Sequence, residues 1–235
     1  MKKINVMILA FLFTVLSFVN AKPDHVVRQI PTFEFKSTMA IFELKGVMVE
    51  QTATDFAQMV LESDSKRIYV YIASPGGQVS ALDSMADTMK SSGKKFACVV
   101  KEAYSAAFMF LQYCDNRYIL KSGTLMAHEA SMRAAGTIKQ IRSVLEVLEK
   151  ILMRIEVDVA HRLGMAQHEY KLRIAYDWWL DSEDAAKAHA VDGVIGNVTC
   201  SKQLIKKRVD VKKVTTSIFG QDVQTVEKSG CPLID

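Results

Sequence analysis

The stretch RIYVYIASPGG, Arg67–Gly77, decides the fold class of this chain. Residues 67–72 are mostly β-branched or aromatic and predict a strand. The Ser-Pro-Gly-Gly run at 74–77 then ends the strand, because proline and glycine interrupt regular structure. Beyond it, apolar residues at three- and four-residue spacing predict a helix through Val79, Leu82, Met85, Ala86 and Met89. A strand, a turn and a helix in this order form half of a βαβ unit.

The rest of the chain repeats this alternation. Short apolar or β-branched runs predict strands, and segments with helical periodicity separate them. The predicted strands are 40–44, 96–100, 117–120 and 125–127, and the predicted helices are 54–61 and 106–113. Strands separated by helices of this length predict an α/β fold with a largely parallel sheet.

A longer helix is predicted at 138–159. Its apolar stripe is wider than a one-sided surface helix needs. We predict that this helix projects from the domain and packs its second flank, which includes Leu148 and Ile155, against another copy of the chain. The alternative is a core helix of a single domain, because periodicity alone does not separate the two.

The first residues indicate export. Lys2 and Lys3 precede an apolar run at 4–19, and Val19-Asn20-Ala21 provides a small-residue cleavage pattern. This order predicts a secretory signal peptide at 1–21. The alternative is a retained anchor helix, for which the run is shorter than the roughly 20 residues that span a bilayer. We therefore expect a periplasmic or secreted protein with no integral membrane segment after cleavage and no access to cytosolic ATP.

Composition and charge place the remaining chain among ordinary globular domains. Hydrophobic residues make up 49% and charged residues 24%, which suffices for a core. The formal net charge of +4 includes two signal-peptide lysines, so the mature chain has a net charge of about +2. This small charge does not indicate a nucleic-acid-binding surface. We expect a flexible lead-in at 22–38, one folded domain at 39–198, and a tail at 199–235 whose role the sequence does not indicate.

The four cysteines are Cys98, Cys114, Cys200 and Cys231. An even number in an oxidising compartment favours disulfides, and three pairings remain open. The alternative is four separate buried thiols, because a free cysteine behaves as a small hydrophobe.

Ser105 is a candidate nucleophile, because it follows a predicted strand and opens a predicted helix. Open α/β sheets place their ligands at the carboxyl ends of their strands. Small neighbours leave room for a substrate backbone, and the N–H of Ala106 on the first helical turn can face an oxyanion. Taken alone, Ser105 is better explained as an ordinary helix N-cap than as a nucleophile.

Two further features fall on the same rim. Gly76 and Gly77 end the strand before the one that delivers Ser105, and glycine lets the backbone approach a ligand closely. His128 closes the predicted strand at 125–127 and can serve as the base that a serine hydroxyl needs. Each has a plain structural alternative, a β-to-α turn for the glycines and a hydrogen-bonded structural histidine for His128.

These motifs, taken in order, resemble the ClpP family of serine proteases. The matching segments are SPGG at 74–77, AYSAA at 103–107, MAHE at 126–129 and YDWWLDSEDA at 176–185, and the resemblance covers residues 40–195. It implies a ClpP/crotonase-like fold of repeated ββα and βαβ units, with the protease domain at 39–198. It also makes residues 136–164 similar to the protruding handle helix of that family, and so implies a homo-oligomeric ring or stacked rings.

The resemblance assigns a role to each site residue. Ser105 would be the nucleophile, His128 the base and Asp177 the orienting acid, while the N–H groups of Gly76 and Ala106 would form the oxyanion hole. Asp177 rests on the resemblance alone, because several acids lie nearby in the sequence. The family uses no metal or cofactor, and we expect none here.

The predicted function is hydrolysis of peptides or unfolded protein by a serine endopeptidase that works without an ATPase. One alternative is an exported signal-peptide-peptidase or NfeD-like protease with a Ser-Lys dyad, in which Lys101 or Lys121 would replace His128 as the base. Another is a catalytically silent, ClpP-like oligomeric scaffold. An acyl-CoA hydratase of the related crotonase fold is disfavoured, because it would not need Ser105 and His128 together.

Overall fold

The computed structural model describes residues 27–217 and 220–234. The predicted signal peptide at 1–21 and the start of the lead-in lie outside these residues. The strands are β1 (Arg28–Phe35), β2 (Ala40–Met48), β3 (Arg67–Gly77), β4 (Lys95–Tyr104), β5 (Asn116–Ala127), β6 (Trp178–Asp181), β7 (Gly193–Cys200), β8 (Arg208–Ser217) and β9 (Gly220–Ser229). The helices are α1 (Glu50–Glu62), α2 (Val79–Ser91), α3 (Ala106–Leu111), α4 (Ile138–Arg162), α5 (Gln167–Ile174), α6 (Ser182–Lys187) and α7 (Lys202–Lys206).

The central sheet has the strand order β1-β7-β5-β4-β3-β2, and neighbours in this order are parallel. Only β6, beside β5, is antiparallel in the described part of this sheet. Helices α1 to α4 cover one face and share a core with the buried side chains of β3 and β4. The sequence prediction of an α/β fold with a largely parallel sheet is confirmed.

Two predicted strand boundaries were wrong. The SPGG run does not end β3, because Gly76 and Gly77 still pair with Val47 and Met48 of β2. The two short strands at 117–120 and 125–127 are one strand, β5, whose register against β4 shifts between the two parts. In both cases pairing with a neighbouring strand holds residues that local propensity would assign to a turn.

The lead-in contributes a strand where the sequence indicated a flexible segment. Residues of β1 pair in register with β7, including Ile30 opposite Ile195. Pro31 lies within β1, and an edge strand tolerates proline because one of its sides needs no ladder donors. The prediction failed because the pairing depends on a strand that is distant in sequence.

The described part of the tail packs on the second face of the sheet through α7 and Cys231. Leu204 of α7 and Cys231 join a buried cluster with Phe35, Tyr71 and other side chains from the sheet. Beyond α7, β8 and β9 form an antiparallel two-stranded ribbon. Lys228 at the base of this ribbon bonds to Glu43 of β2 at 2.6 Å.

The four cysteines form two disulfides. Cys98 of β4 bonds to Cys114, which follows α3, and Cys200 at the end of β7 bonds to Cys231. The first therefore lies within the main core, and the second closes the C-terminal segment onto the sheet. The alternative of four free thiols is wrong.

Helix α4 has a buried end and a projecting end. A capping box between Thr137 and Gln140 starts it. Its last turns enter the core, where Ile155 is 1% exposed, so our assignment of Ile155 to an interface flank was wrong. Its first turns stand away from the domain, with Val144 54% and Val147 57% exposed. Within residues 27–217 and 220–234, none of the helices combines the length and the apolar character that a membrane crossing requires.

A buried charge cluster holds the end of α4 against the sheet. The guanidinium of Arg117 on β5 donates to Asp192 at 2.6 Å and to Gln112 at 2.6 Å, and Arg162 of α4 reaches the same aspartate at 3.4 Å. Burial raises the pKa of the Asp192 carboxyl, but the hydrogen bonds and charge of Arg117 outweigh it and hold that pKa below its usual value. The carboxylate therefore stays ionised and keeps the buried Arg117 paired.

Candidate active site

Ser105 lies between β4 and α3 in an unusual backbone conformation. Its φ of 55° and ψ of −122° fall outside the regions that residues other than glycine normally occupy. Strained serines at a strand-to-helix turn are typical of nucleophiles, because the turn exposes the hydroxyl. The N–H of Ser105 donates to the Met126 carbonyl at 2.8 Å, and its own carbonyl accepts from the Met109 N–H at 3.2 Å. The backbone on both sides therefore holds the turn.

Gly76 makes room for this turn. A Cβ placed on Gly76 would lie 2.4 Å from the Tyr104 carbonyl oxygen and 2.9 Å from the Ser105 Cβ. Its φ of +88° also favours glycine. The end of β3 thus packs backbone against backbone on the end of β4. The sequence predicted close approach to a ligand at this glycine, and the structure places it against the turn that carries Ser105.

The structure brings Ser105 and His128 together. His128 follows the last residue of β5, and its Nε2 lies 2.8 Å from the Ser105 Oγ. This is hydrogen-bond distance, so the imidazole can accept the hydroxyl proton when its own proton is on Nδ1. Both residues follow strands that are neighbours in the parallel sheet, and this is why their separation of 23 residues in sequence closes in space.

Asp177 and His128 flank the last residue pair of β5 and β6, but they do not bond to each other. The antiparallel pairing of β5 with β6 ends at Ala127 opposite Trp178, and His128 and Asp177 are the residues that flank this last pair. The Asp177 side chain is exposed, and within the described residues no hydrogen bond joins the two. The register ends one residue short of pairing the acid with the base, and the contact between them is not made.

The two predicted oxyanion donors differ in their surroundings. Ala106 is the first residue of α3, so its N–H has no acceptor within its own helix. The N–H of Gly76 instead donates to the Ser74 Oγ at 3.1 Å, and the same hydroxyl donates to the Gly46 carbonyl at 2.6 Å. The Ala106 N–H is therefore the available donor, and the Gly76 N–H already has a partner.

A cavity of about 340 Å³ opens beside the serine hydroxyl. Its walls are partly polar, and their apolar part includes Val79 and Leu82 of α2, Met109 of α3 and Leu152 of α4. Sequence analysis did not assign these residues to the site. Val79 and Leu82 served there only to predict a helix, and the same side chains also line the cavity.

The two lysines of the alternative dyad lie elsewhere. Lys101 and Lys121 line a separate cavity with Tyr71 and Leu233, and neither lines the cavity beside Ser105. Lys101 lies 3.9 Å from the Glu102 carboxylate. This arrangement favours His128 over a lysine as the partner of the serine.

Sequence analysis also missed Tyr104. The Tyr104 Oη lies 2.7 Å from the Thr124 Oγ1, and its ring packs edge-on against Trp179 with centroids 5.2 Å apart. The available signal was a single aromatic residue within the run of small residues around Ser105.

Fold and site together define a class of protein: a parallel α/β sheet with a strained serine and a hydrogen-bonded histidine at its carboxyl edge. Comparison with known proteins narrows this class. The Clp protease family profile matches residues 33–198. The ATP-dependent Clp protease proteolytic subunit 2 of Bifidobacterium longum (strain NCC 2705) is 24% identical over 156 residues, which cover 65% of this chain and 75% of that protein. The chain belongs to the Clp protease family, whose members are proteases, and membership indicates serine peptidase activity.

The glycine contact generates a prediction. Gly76→Ala should abolish labelling of Ser105 by a fluorophosphonate probe, because the new Cβ collides with the backbone that holds the serine turn. Gly93→Ala is the matched control. Gly93 also has a positive φ, +66°, but nothing lies within 4 Å of its Cβ position. It should cost about 1–2 kcal/mol of stability, measured by urea unfolding, and leave labelling intact. Equal labelling of both variants would contradict the proposed role of the contact.

Proposed function

We propose that this protein is an exported serine endopeptidase that hydrolyses peptides or unfolded protein through Ser105, His128 and Asp177. The observation that carries the proposal is the 2.8 Å contact between Ser105 Oγ and His128 Nε2 at a strained strand-to-helix turn. A histidine at this distance activates a hydroxyl that is otherwise a poor nucleophile.

The proposed chemistry follows from these positions. Ser105 Oγ attacks the scissile carbonyl while His128 Nε2 accepts its proton, and the imidazolium gives that proton to the amine as the C–N bond breaks, which leaves an ester on Ser105. A water that gives its proton to His128 then hydrolyses this ester, which releases the carboxylic acid and restores the Ser105 hydroxyl. The Ala106 N–H stabilises the oxyanion, joined by the Gly76 N–H once the latter releases Ser74. Asp177 holds the imidazole by its Nδ1–H when the pairing of β5 with β6 extends by one residue. No step requires a metal or cofactor.

The apolar part of the cavity wall supports a preference for apolar side chains next to the scissile bond. Its methionine, leucine and valine walls would bury such a side chain, which stabilises binding by about 1.5–3 kcal/mol. A fluorogenic peptide with leucine or methionine before the scissile bond is therefore the substrate of choice for an assay.

Substitutions in the triad test the proposal. Ser105→Ala should abolish probe labelling and peptide cleavage, and His128→Ala should come close to this, because the hydroxyl loses its base. Asp177→Asn should lower kcat by about four orders of magnitude, because the histidine is left in the wrong tautomer. The effects should not add in combination, because the three groups act as one unit. The measurements are probe labelling and cleavage of the fluorogenic peptide.

Three controls separate this proposal from its alternatives. Asp184→Asn removes an exposed carboxylate that pairs with Lys187, and it should leave kcat unchanged. Lys101→Ala and Lys121→Ala should also be silent. If either lysine variant is inactive while His128→Ala is active, the Ser-Lys dyad is correct. If the unmodified protein never reacts with the probe, even as an assembled oligomer, the silent scaffold is correct.

We also propose that the protein assembles into a homo-oligomer through the projecting part of α4. Members of this family generally form oligomeric rings. An apolar groove runs between this helix and the end of β2, where Val47 is 59% and Val147 57% exposed. A second copy of the chain is the occupant that would remove this surface from water, because exposed apolar patches of this kind mark protein interfaces.

Charge on this groove should disrupt the assembly. The double variant Val144→Glu/Val147→Glu should reduce the particle mass measured by light scattering, because a buried unpaired carboxylate opposes association. Both positions are exposed in the single chain, so the fold should survive. Leu172→Glu is the matched control on α5, where the side chain is 71% exposed and outside the groove, and it should leave the mass unchanged. If the unmodified protein is a monomer at micromolar concentration, the proposed assembly is wrong.

Export to the periplasm or the medium, and with it activity without an ATP-driven partner, is the remaining part of the proposal. Residues 1–21 support export, because lysines are followed by an apolar run and then by small residues. The two disulfides also support export, because disulfides persist in oxidising compartments. N-terminal sequencing of the protein recovered outside the cytosol should give Lys22 as the first residue. Recovery with Met1 retained would overturn cleavage at this position.

A further inference from the structure

Tyr104 makes contacts that the proposed chemistry does not use. Its hydroxyl is hydrogen-bonded to Thr124 of β5 at 2.7 Å. Its ring meets the Trp179 ring of β6 edge-on, with centroids 5.2 Å apart and an interplanar angle of 61°. One side chain at the end of β4 therefore connects three neighbouring strands at the edge of the sheet that carries the site.

The turn at Ser105 needs support of this kind. For a residue other than glycine, such a backbone conformation costs on the order of 1–3 kcal/mol and persists only where the surrounding structure fixes it. The helix α3 and the Met126 carbonyl hold Ser105 itself. On the strand side, the preceding residue is Tyr104, whose carbonyl packs on Gly76 and whose side chain is tied to β5 and β6.

The same contacts reach the segment that carries the acid. Trp179 lies two residues after Asp177 on β6, and it pairs with Met126 of β5, which in turn pairs with Tyr104. A displacement of Tyr104 would therefore disturb both the position of the Ser105 hydroxyl and the strand next to Asp177.

We propose that Tyr104 is a positioning residue that holds the Ser105 turn in register with His128 and Asp177 through Thr124 and Trp179. The inference rests on the proposed function, because positioning matters for turnover only if Ser105 is the nucleophile. Tyr104, Thr124 and Trp179 do not line the cavity beside Ser105, so their effect is on the reacting groups and not on substrate binding.

Kinetics of single and double variants test the hydrogen bond. Tyr104→Phe and Thr124→Val should each lower kcat about 5-fold, the loss expected for one hydrogen bond, with KM within about twofold of the unmodified protein. The kcat of the double variant should fall about 5-fold and not about 25-fold, because both changes remove the same hydrogen bond. Tyr104→Ala also removes the ring contact, so its kcat should fall roughly 30-fold. Tyr104→Phe keeps the ring contact and should therefore retain more of the kcat.

Tyr113→Phe is the matched control. It removes a tyrosine hydroxyl that bonds to Asp158 at 3.1 Å, away from the serine turn. It should reduce the melting temperature about as much as Tyr104→Phe does, and leave kcat unchanged. If a general loss of stability caused the fall in kcat, both Tyr104→Phe and Tyr113→Phe would lower kcat.

Crystal structures of the unmodified protein and of Tyr104→Ala provide a readout that does not depend on turnover. In Tyr104→Ala, the Ser105 φ should become negative or its Oγ should move beyond hydrogen-bond distance of His128 Nε2. If the unmodified protein is inert while this displacement occurs, the positioning role stands and the peptidase proposal fails. If the unmodified protein is active while all four Tyr104 and Thr124 variants keep its kcat and Tyr104→Ala keeps its serine geometry, the positioning role is wrong.

Discussion

The backbone contact between Gly76 and residues 104–106 is the constraint on which the site depends. Three strand ends meet there without intervening side chains, because a Cβ on Gly77 would also lie 2.2 Å from the Met48 carbonyl oxygen. The parallel order of β2, β3 and β4 brings these carboxyl ends to one edge of the sheet. The Ser105 turn rests on this platform, and its strained conformation is maintained because the backbone beneath it cannot move away.

Much of this arrangement could be predicted from local sequence signals. The strand at 67–72, the glycine pair and the helix after it are short-range patterns, and they identified the α/β fold. The pairing of Ser105 with His128 followed because both end neighbouring parallel strands. Asp177 could be assigned only from the resemblance, because its placement depends on the antiparallel register of β6 against β5, which no local pattern encodes.

The features that sequence reasoning missed all involve partners distant in the chain. β1 contains a proline and charged residues, and it is a strand because β7 provides its hydrogen bonds. The C-terminal segment looked featureless, yet Leu204 and Cys231 bury the second face of the sheet. The family match ends at residue 198, and the Cys200–Cys231 disulfide begins just beyond it. The covering segment thus lies beyond the matched range, and its covalent closure restricts the unfolded chain and holds the segment on the sheet.

Only a small structural change separates His128 and Asp177 from a direct contact. Directly opposed residues in an antiparallel pair have Cα atoms about 4.5–5.5 Å apart, so one more pair in the β5–β6 register would bring the two side chains within reach. Ordering one residue costs about 1–2 kcal/mol of backbone entropy. An exposed carboxylate gains little from a histidine in water, and the attraction grows as water is excluded. A substrate or a neighbouring subunit that dries this edge would therefore favour the extra pair, and a triad acid lowers the reaction barrier by more than the ordering costs.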